Sequence, residues 1–314
     1  KAQRVRTLRK AAGQRKFRTS RFWGSNLWPT LEFGTPAFGL GNTALREART
    51  TAAAMVQDKF GQCTHSVLQI GLGPWKDPEF LALRSSISFW LNFWSHADPA
   101  LRTRLSLGWK RTLAAIHASP NRRVWNTVRG PMASLIASFE RIGWETPLPN
   151  IWTSVDHNGD KWTHTFTGTG GTKVMLQAVA ESISAAQLPP IERHWSGTGA
   201  AQGLHFPEVR AHWLKMLRHE RYDDAARFLC IITGGCWPMD RRLQKGMPDH
   251  GDGLCPRCGK SMETDLHRFW QCEKNLIGDA PAIVNTQNLQ RFAEKGFPAL
   301  DIYWMRGIPT RKMF

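Results

Sequence analysis

Three cysteines and a histidine stand within eighteen residues of this 314-residue chain, in the order Cys255, Cys258, His267 and Cys272. The spacing C-x2-C-x8-H-x4-C lets a tight turn bring two thiolates to one ion. A short helix and its end deliver the imidazole and the third thiolate. Four sulfur and nitrogen donors close a tetrahedron around zinc and leave no open position, so the metal is expected to be structural rather than catalytic. Gly259, directly after the second cysteine, suits the turn. So small a loop has little core of its own, so zinc is expected to fold it. The competing reading, a buried histidine among scattered thiols, does not account for four ligands at workable spacing.

Other chemistry is thin. Cys63, Cys230 and Cys236 have no regular spacing and do not read as a disulfide framework, which points to a reducing, intracellular compartment. Nucleus and mitochondrion both stay open. Asp156, His157 and Asp160 sit where a hairpin tip is expected, and turn chemistry explains them. No phosphate loop of the Walker type and no Ser-His-Asp arrangement stands out. The chain begins at Lys1 rather than Met and opens on no secretory signal, so a processed product or a fragment is expected.

Charge gives the second strong signal. Lys and Arg number 42 against 25 Asp and Glu, a net charge of +17, which matches a polyanion, with RNA placed ahead of DNA. An opening arm over residues 1–21 carries Lys1, Arg4, Arg6, Arg9, Lys10, Arg15, Lys16, Arg18 and Arg21, with no acid before Glu32. It reads as a nucleic-acid arm, a mitochondrial presequence or a nuclear localisation cluster. Residues 99–139 also lack acids while holding Arg102, Arg104, Lys110, Arg111, Arg122, Arg123 and Arg129, which favours a phosphate-facing surface over a mixed-sign solvated face. No apolar run is long enough for a membrane span, so no membrane insertion is expected. Fifteen Trp stand against two Tyr. Most are expected in the core, with Trp270 (and Phe269 beside it) a candidate for stacking on bases.

The elements that must position these groups are mainly helical. Hydrophobic residues make up 41% and charged residues 21%, enough for a packed core. Residues 1–42 read as the basic arm followed by an irregular, aromatic-anchored segment, and residues 43–149 as a basic helical body. In that body Phe80, Leu83, Ile87, Leu91 and Trp94 form one helical stripe, and Leu101, Leu105, Trp109, Leu113 and Ile116 another, opened by Asp98 and Pro99. Pro131 starts a third helix through Leu135, Phe139 and Ile142. Residues 150–190 read as a β-hairpin around Asn158-Gly159 plus a helix. Residues 191–246 are helical after a Pro- and Gly-rich linker, with a break near Arg221. The knuckle occupies 247–280 and a tail 281–314. The expected fold is an irregular multi-helix body with a small β-hairpin and a zinc knuckle.

Segments 231–238 (IITGGCWP), 254–259 (LCPRCG) and 263–272 (ETDLHRFWQC) together resemble the region that follows the polymerase domain in non-LTR, LINE-like retrotransposon polyproteins. The stretch 303–309 (YWMRGIP) is similar to one that precedes ribonuclease H in some of them. The opening arm with 38–41 (FGLG) and 45–48 (LREA) fits the region past palm and thumb. The resemblance implies binding of element RNA and target DNA, with Cys255, Cys258, His267 and Cys272 as zinc ligands. It does not carry catalysis over, because the motifs of palm, endonuclease and ribonuclease H are not found in these residues. Tyr222-Asp223-Asp224 lacks the residue that separates tyrosine from the paired aspartates of reverse transcriptases, and reads as helix surface. Two roles remain: a nucleic-acid-binding tail of a reverse transcriptase, or a recruited structural subunit of a large ribonucleoprotein such as a mitochondrial ribosome, among whose other subunits it would sit.

Overall fold

The computed structural model describes residues 22–57, 61–118, 124–156, 159–166, 172–247, 251–275, 277 and 281–313. The arm at 1–21, together with Arg122 and Arg123, lies outside them, as do His157 and Asn158. The principal helices are α1 (Asn42–Val56), α2 (Thr64–Gly71), α3 (Pro78–His96), α4 (Pro99–His117), α5 (Gly130–Arg141), α6 (Thr172–Ala186), α7 (Pro207–Arg218), α8 (Tyr222–Ile232), α9 (Met239–Gln244), α10 (Gln290–Gly296) and α11 (Asp301–Arg306). Strands β1 (Glu145–Leu148), β2 (Ile151–Val155) and β3 (Lys161–Thr165) form one antiparallel sheet in that order. The chain divides into two compact units, Lys1–Asp58 with Gly71–Gln187, and Lys59–Ile70 with Leu188–Phe314.

In the first unit the expected stripes are the core. Phe80, Leu83, Ile87, Leu91 and Trp94 of α3 are buried with Leu105, Trp109 and Ile116 of α4 and with Leu135, Phe139 and Ile142. Leu101 and Leu113 are partly buried against them. Asp98 caps α4 by accepting from the backbone N–H of Leu101 at 2.7 Å, and Asp77 caps α3 by accepting from Glu79. Tryptophan joins helices to sheet through both of its faces. The indole N–H groups of Trp90, Trp109 and Trp144 donate to Pro149 O, Thr146 O and Ser182 Oγ at 2.7–2.8 Å. Their ring bodies pack in a cluster in which Phe139 meets both Trp144 and Trp152.

The hairpin pairs Ile151 with Thr165 and Val155 with Lys161. Asp156 closes its tip, accepting from Asp160 N and Trp162 Nε1. The third strand is a departure from the sequence reading. β1 carries Pro147, which cannot donate to a ladder, and its register against β2 is irregular. Both features belong to an edge strand and hide it from an alternation pattern. The segment expected to be irregular after the arm is also more ordered, forming turns of helix at Trp23–Leu27, Trp28–Glu32 and Thr35–Phe38, with Trp23 and Trp28 buried.

A buried ion network ties this unit together. Arg49 of α1 binds Asp77 at 3.0 Å and Glu79 at 2.7 Å, and Arg141 at the end of α5 reaches Glu79 and the carbonyl of Leu40. Gln187 donates to Asp77 at 2.9 Å. Both acids are almost fully buried.

In the second unit the residues expected as a linker are packed rather than loose. Leu188–Glu192 is helical, and a Cβ at Gly197 would lie 2.0 Å from the carbonyl oxygen of Ile191. The boundary therefore falls at Gln187 rather than Pro190. The break expected near Arg221 is present, with Glu220 in the left-handed region between α7 and α8. Arg49→Met leaves buried Asp77 with no cation and Glu79 with Arg141 alone, and is expected to lower unfolding free energy by about 3–5 kcal/mol. Lys161→Met removes only an exposed partner of Glu145 and should change it by about 1 kcal/mol or less. Denaturant titration of both variants checks the contrast, and equal losses would contradict it.

Candidate metal centre

Each ligand is placed by local backbone chemistry. An isolated bridge between Leu254 and Met262 holds the first turn. Within it Cys255 N donates to Ser261 O and Gly259 N to Cys255 O, both at 2.8 Å. Gly259 has φ +68°, a conformation that disfavours any side chain. Thr264 Oγ1 then accepts from His267 N at 3.0 Å and opens a helical turn. That turn, His267–Gln271, is a π turn, with Cys272 N donating to His267 O at 2.8 Å. In an α-helix each residue rotates by about 100°, so a residue five places on would face away. The wider π turn brings Cys272 back over His267.

The result is one cluster. The ligand atoms of Cys255, Cys258, His267 and Cys272 all lie within 4.8 Å of one another and can hold a metal ion. Cys255 Sγ and Cys272 Sγ are 3.9 Å apart, and Cys258 Sγ is 3.4 Å from His267 Nε2. Cys255, Cys272 and His267 are buried and Cys258 half-buried. Burial pushes the Cys255 thiol up, but donation from the N–H groups of Cys258 and Arg257, with His267 and Cys272 adding to it, brings it down to about 6. Burial raises the thiol of Cys272. Arg257 clips the two halves together, donating to Asn275 Oδ1 at 2.6 Å and to the carbonyl of Arg268.

Around the ligands runs a polar network that sequence reading missed. Arg268 binds Glu263 at 2.7 Å and donates to the carbonyls of Cys236 and Trp237. Glu263 also accepts from Met239 N, at the start of α9. Asp265 accepts from Trp195 Nε1 at 2.6 Å and Ser196 Oγ at 2.8 Å. Burial raises its pKa despite those donors. The guanidinium of Arg241 lies between the rings of Trp195 and Trp237, 4.0 and 4.2 Å from their centroids. Beyond Asp265 sit Asp301, Arg306 and His194. Burial, then the charge of Asp265, pushes Asp301 up to about 6, while burial and the charge of Arg306 push His194 down to about 4. Nothing in the spacing of these residues announces the network, because it joins four separated segments.

The remaining expected site residues are dispersed. Arg104, Lys110, Arg111 and Arg129 are exposed. Arg102 is half-buried, donating to Ser95 O at 3.2 Å with its guanidinium over Trp94. Trp270 is half-buried, donating to Trp304 O at 3.0 Å and meeting the Trp304 ring edge-on. Asp223 and Asp224 lie in the first turn of α8, where acids favour the helix N-terminus, and Asp224 pairs with Arg221. Among the described residues no helix is long and apolar enough to cross a membrane.

Comparison of the chain with protein-family models, with curated proteins and with solved structures finds no match.

Cys258→Ser should abolish one-to-one metal binding, read by metal analysis of the purified chain. Retention of one equivalent would mean the cluster is not the site. Asp301 offers a separate check. Its raised pKa means folding takes up a proton there between about pH 4 and 6, so its contribution is best at acid pH and lost as pH rises through about 6. Asp301→Asn should therefore gain stability on the wild type over that interval. Denaturant midpoints across a pH series measure this, and the opposite drift would refute it.

Proposed function

We propose that this chain binds nucleic acid without catalysing a reaction on it, through cationic surfaces braced by one structural zinc knuckle. The observation that carries the reading is where the charges lie. Asp77, Glu79, Glu263 and Asp265 are buried, while Arg104, Lys110, Arg111 and Arg129 of the acid-free stretch are exposed. Those acids take Arg49, Arg141 and Arg268 inside with them, so the exposed cations of the acid-free stretch keep the excess of positive charge. A polyanion is the partner that such a surface suits.

For the knuckle, zinc fits the donor set. Zinc–sulfur bonds of about 2.3 Å imply tetrahedral sulfur–sulfur edges of about 3.8 Å, and Cys255 and Cys272 stand 3.9 Å apart. Cys255, Cys258, His267 and Cys272 would hold the ion, whose role is to cross-link two loops. The polar network around Arg268 and Asp265 orients the backbone that presents them. The resemblance to the post-polymerase segment of non-LTR retrotransposon polyproteins supports the same reading and adds RNA as the first partner to test. A recruited subunit of a ribonucleoprotein would use the same surfaces.

Binding should be weakly sequence-selective and strongly salt-dependent. Each phosphate contact made releases counterion and steepens the log–log slope by roughly 0.7–0.9. Replacing Arg104, Lys110 and Arg111 with Gln should flatten that slope by about 2–3, and truncating residues 1–21 should flatten it further. Binding to RNA and DNA across a salt series measures both. Undetectable or salt-independent binding would overturn the proposal.

A further inference from the structure

Helix α3 buries its apolar stripe and yet carries two phenylalanines on its outer side. Phe89 and Phe93 are 47% and 41% exposed, one helical turn apart. The core stripe does not use them. Their rings run nearly parallel, 6° between planes and 6.4 Å between centroids. Phe93 also leans on Trp90, whose centroid is 6.1 Å away. Trp90 is itself fixed, being 2% exposed with its N–H donated to Pro149 O. The pair thus stands on a rigid base. Around it the helix exposes Arg84, Ser88, Asn92 and His96.

The charged groups nearest this pair in sequence are Arg84 on the exposed side of α3 and, at the corner into α4, Arg102 and the capping Asp98. At the corner where α3 passes into α4, Arg102 donates to Ser95 O and lies over Trp94. Along α4, Arg104, Lys110 and Arg111 are exposed, and no acid occurs in residues 99–139. An apolar peptide would be satisfied by the rings but not by the cations. A duplex would be satisfied by the cations but keeps its bases stacked away from the rings. A single strand meets both, because its phosphates face the cations and its unstacked bases offer π faces.

We propose that Phe89 and Phe93 form a stacking platform for the bases of single-stranded RNA or DNA, with Arg102 and the exposed cations of α4 taking its phosphates. This rests on the nucleic-acid-binding reading above and specifies the form of the ligand. The platform reads no particular base, since every base presents a ring face. It selects single strands over duplexes.

The test uses the full chain and a single-stranded oligonucleotide carrying a fluorescent adenine analogue, with a duplex of the same sequence as comparison. Phe89→Ala/Phe93→Ala should weaken single-strand binding by about 5- to 150-fold. Duplex affinity and the salt slope should stay unchanged, because no phosphate contact is lost. Phe89→Leu/Phe93→Leu keeps apolar bulk without a ring face and should weaken binding similarly. Phe89→Trp/Phe93→Trp should preserve it, which also guards against misreading a folding defect. On wild-type binding, the analogue's fluorescence should be quenched by stacking, and the Leu variant should lose that quenching. Wild-type affinity in the Ala or Leu variants would overturn the platform while leaving nucleic-acid binding intact. So would variants that lose only a protein partner. A wild-type chain that binds no single strand even at low salt would overturn the platform and the broader reading together.

Discussion

A carboxylate removed from water must meet cations or strong donors, and that requirement organises both units of this chain. Breaking such a buried pair is far more costly than losing an exposed one. In the first unit Asp77 and Glu79 gather Arg49, Arg141 and Gln187 around the start of α3. In the second, Glu263 and Asp265 stand equally close in sequence and engage Arg268, Trp195 and Ser196 beside the metal ligands. Each acid pair fixes the start of a helical element: Asp77 caps α3, and Glu263 receives the first N–H of α9. Each of these pairs takes cations inside with it, Arg49 and Arg141 in one unit and Arg268 in the other, so the burial of acids is compensated locally and the excess of 42 basic over 25 acidic residues is left unchanged.

Tryptophan does a related job with the opposite polarity. An indole is a large apolar body with one donor and no acceptor. Trp90 and Trp109 use that donor on the carbonyls of Pro149, in the turn after β1, and of Thr146, within β1. Trp195 turns the same donor onto Asp265. The abundance of this residue therefore reads as a way to seal polar backbone into a core that contains little regular sheet.

Much of this was legible in the sequence. The stripes of α3 and α4 follow the helical period, Asp98 announces its cap, and the four metal ligands declare themselves by type and spacing. What stayed hidden depended on contacts between distant segments. β1 contains a proline, and its neighbourhood is bonded by Trp90 and Trp109 from helices far off in sequence. The glycines at Gly197 and Gly199 look like linker punctuation, but they are buried in close backbone packing. The Arg241 sandwich joins Trp195 to Trp237 across a separation with no periodicity. Phe89 and Phe93 illustrate the limit differently. On a helix wheel they are two more apolar residues, and only the inward direction of the stripe shows that they point out.

The π turn at His267–Gln271 has a consequence for how this region can change. Of its four intervening positions, Arg268 and Trp270 are committed to Glu263 and to the carbonyl of Trp304, whereas Gln271 is exposed. Length is another matter. Removing one residue would set the histidine and the cysteine four apart, a spacing that an ordinary α turn already brings to one face. The π turn is thus the device that accommodates a five-residue spacing, and a chain one residue shorter in this segment would present the same two side chains from a plain α turn.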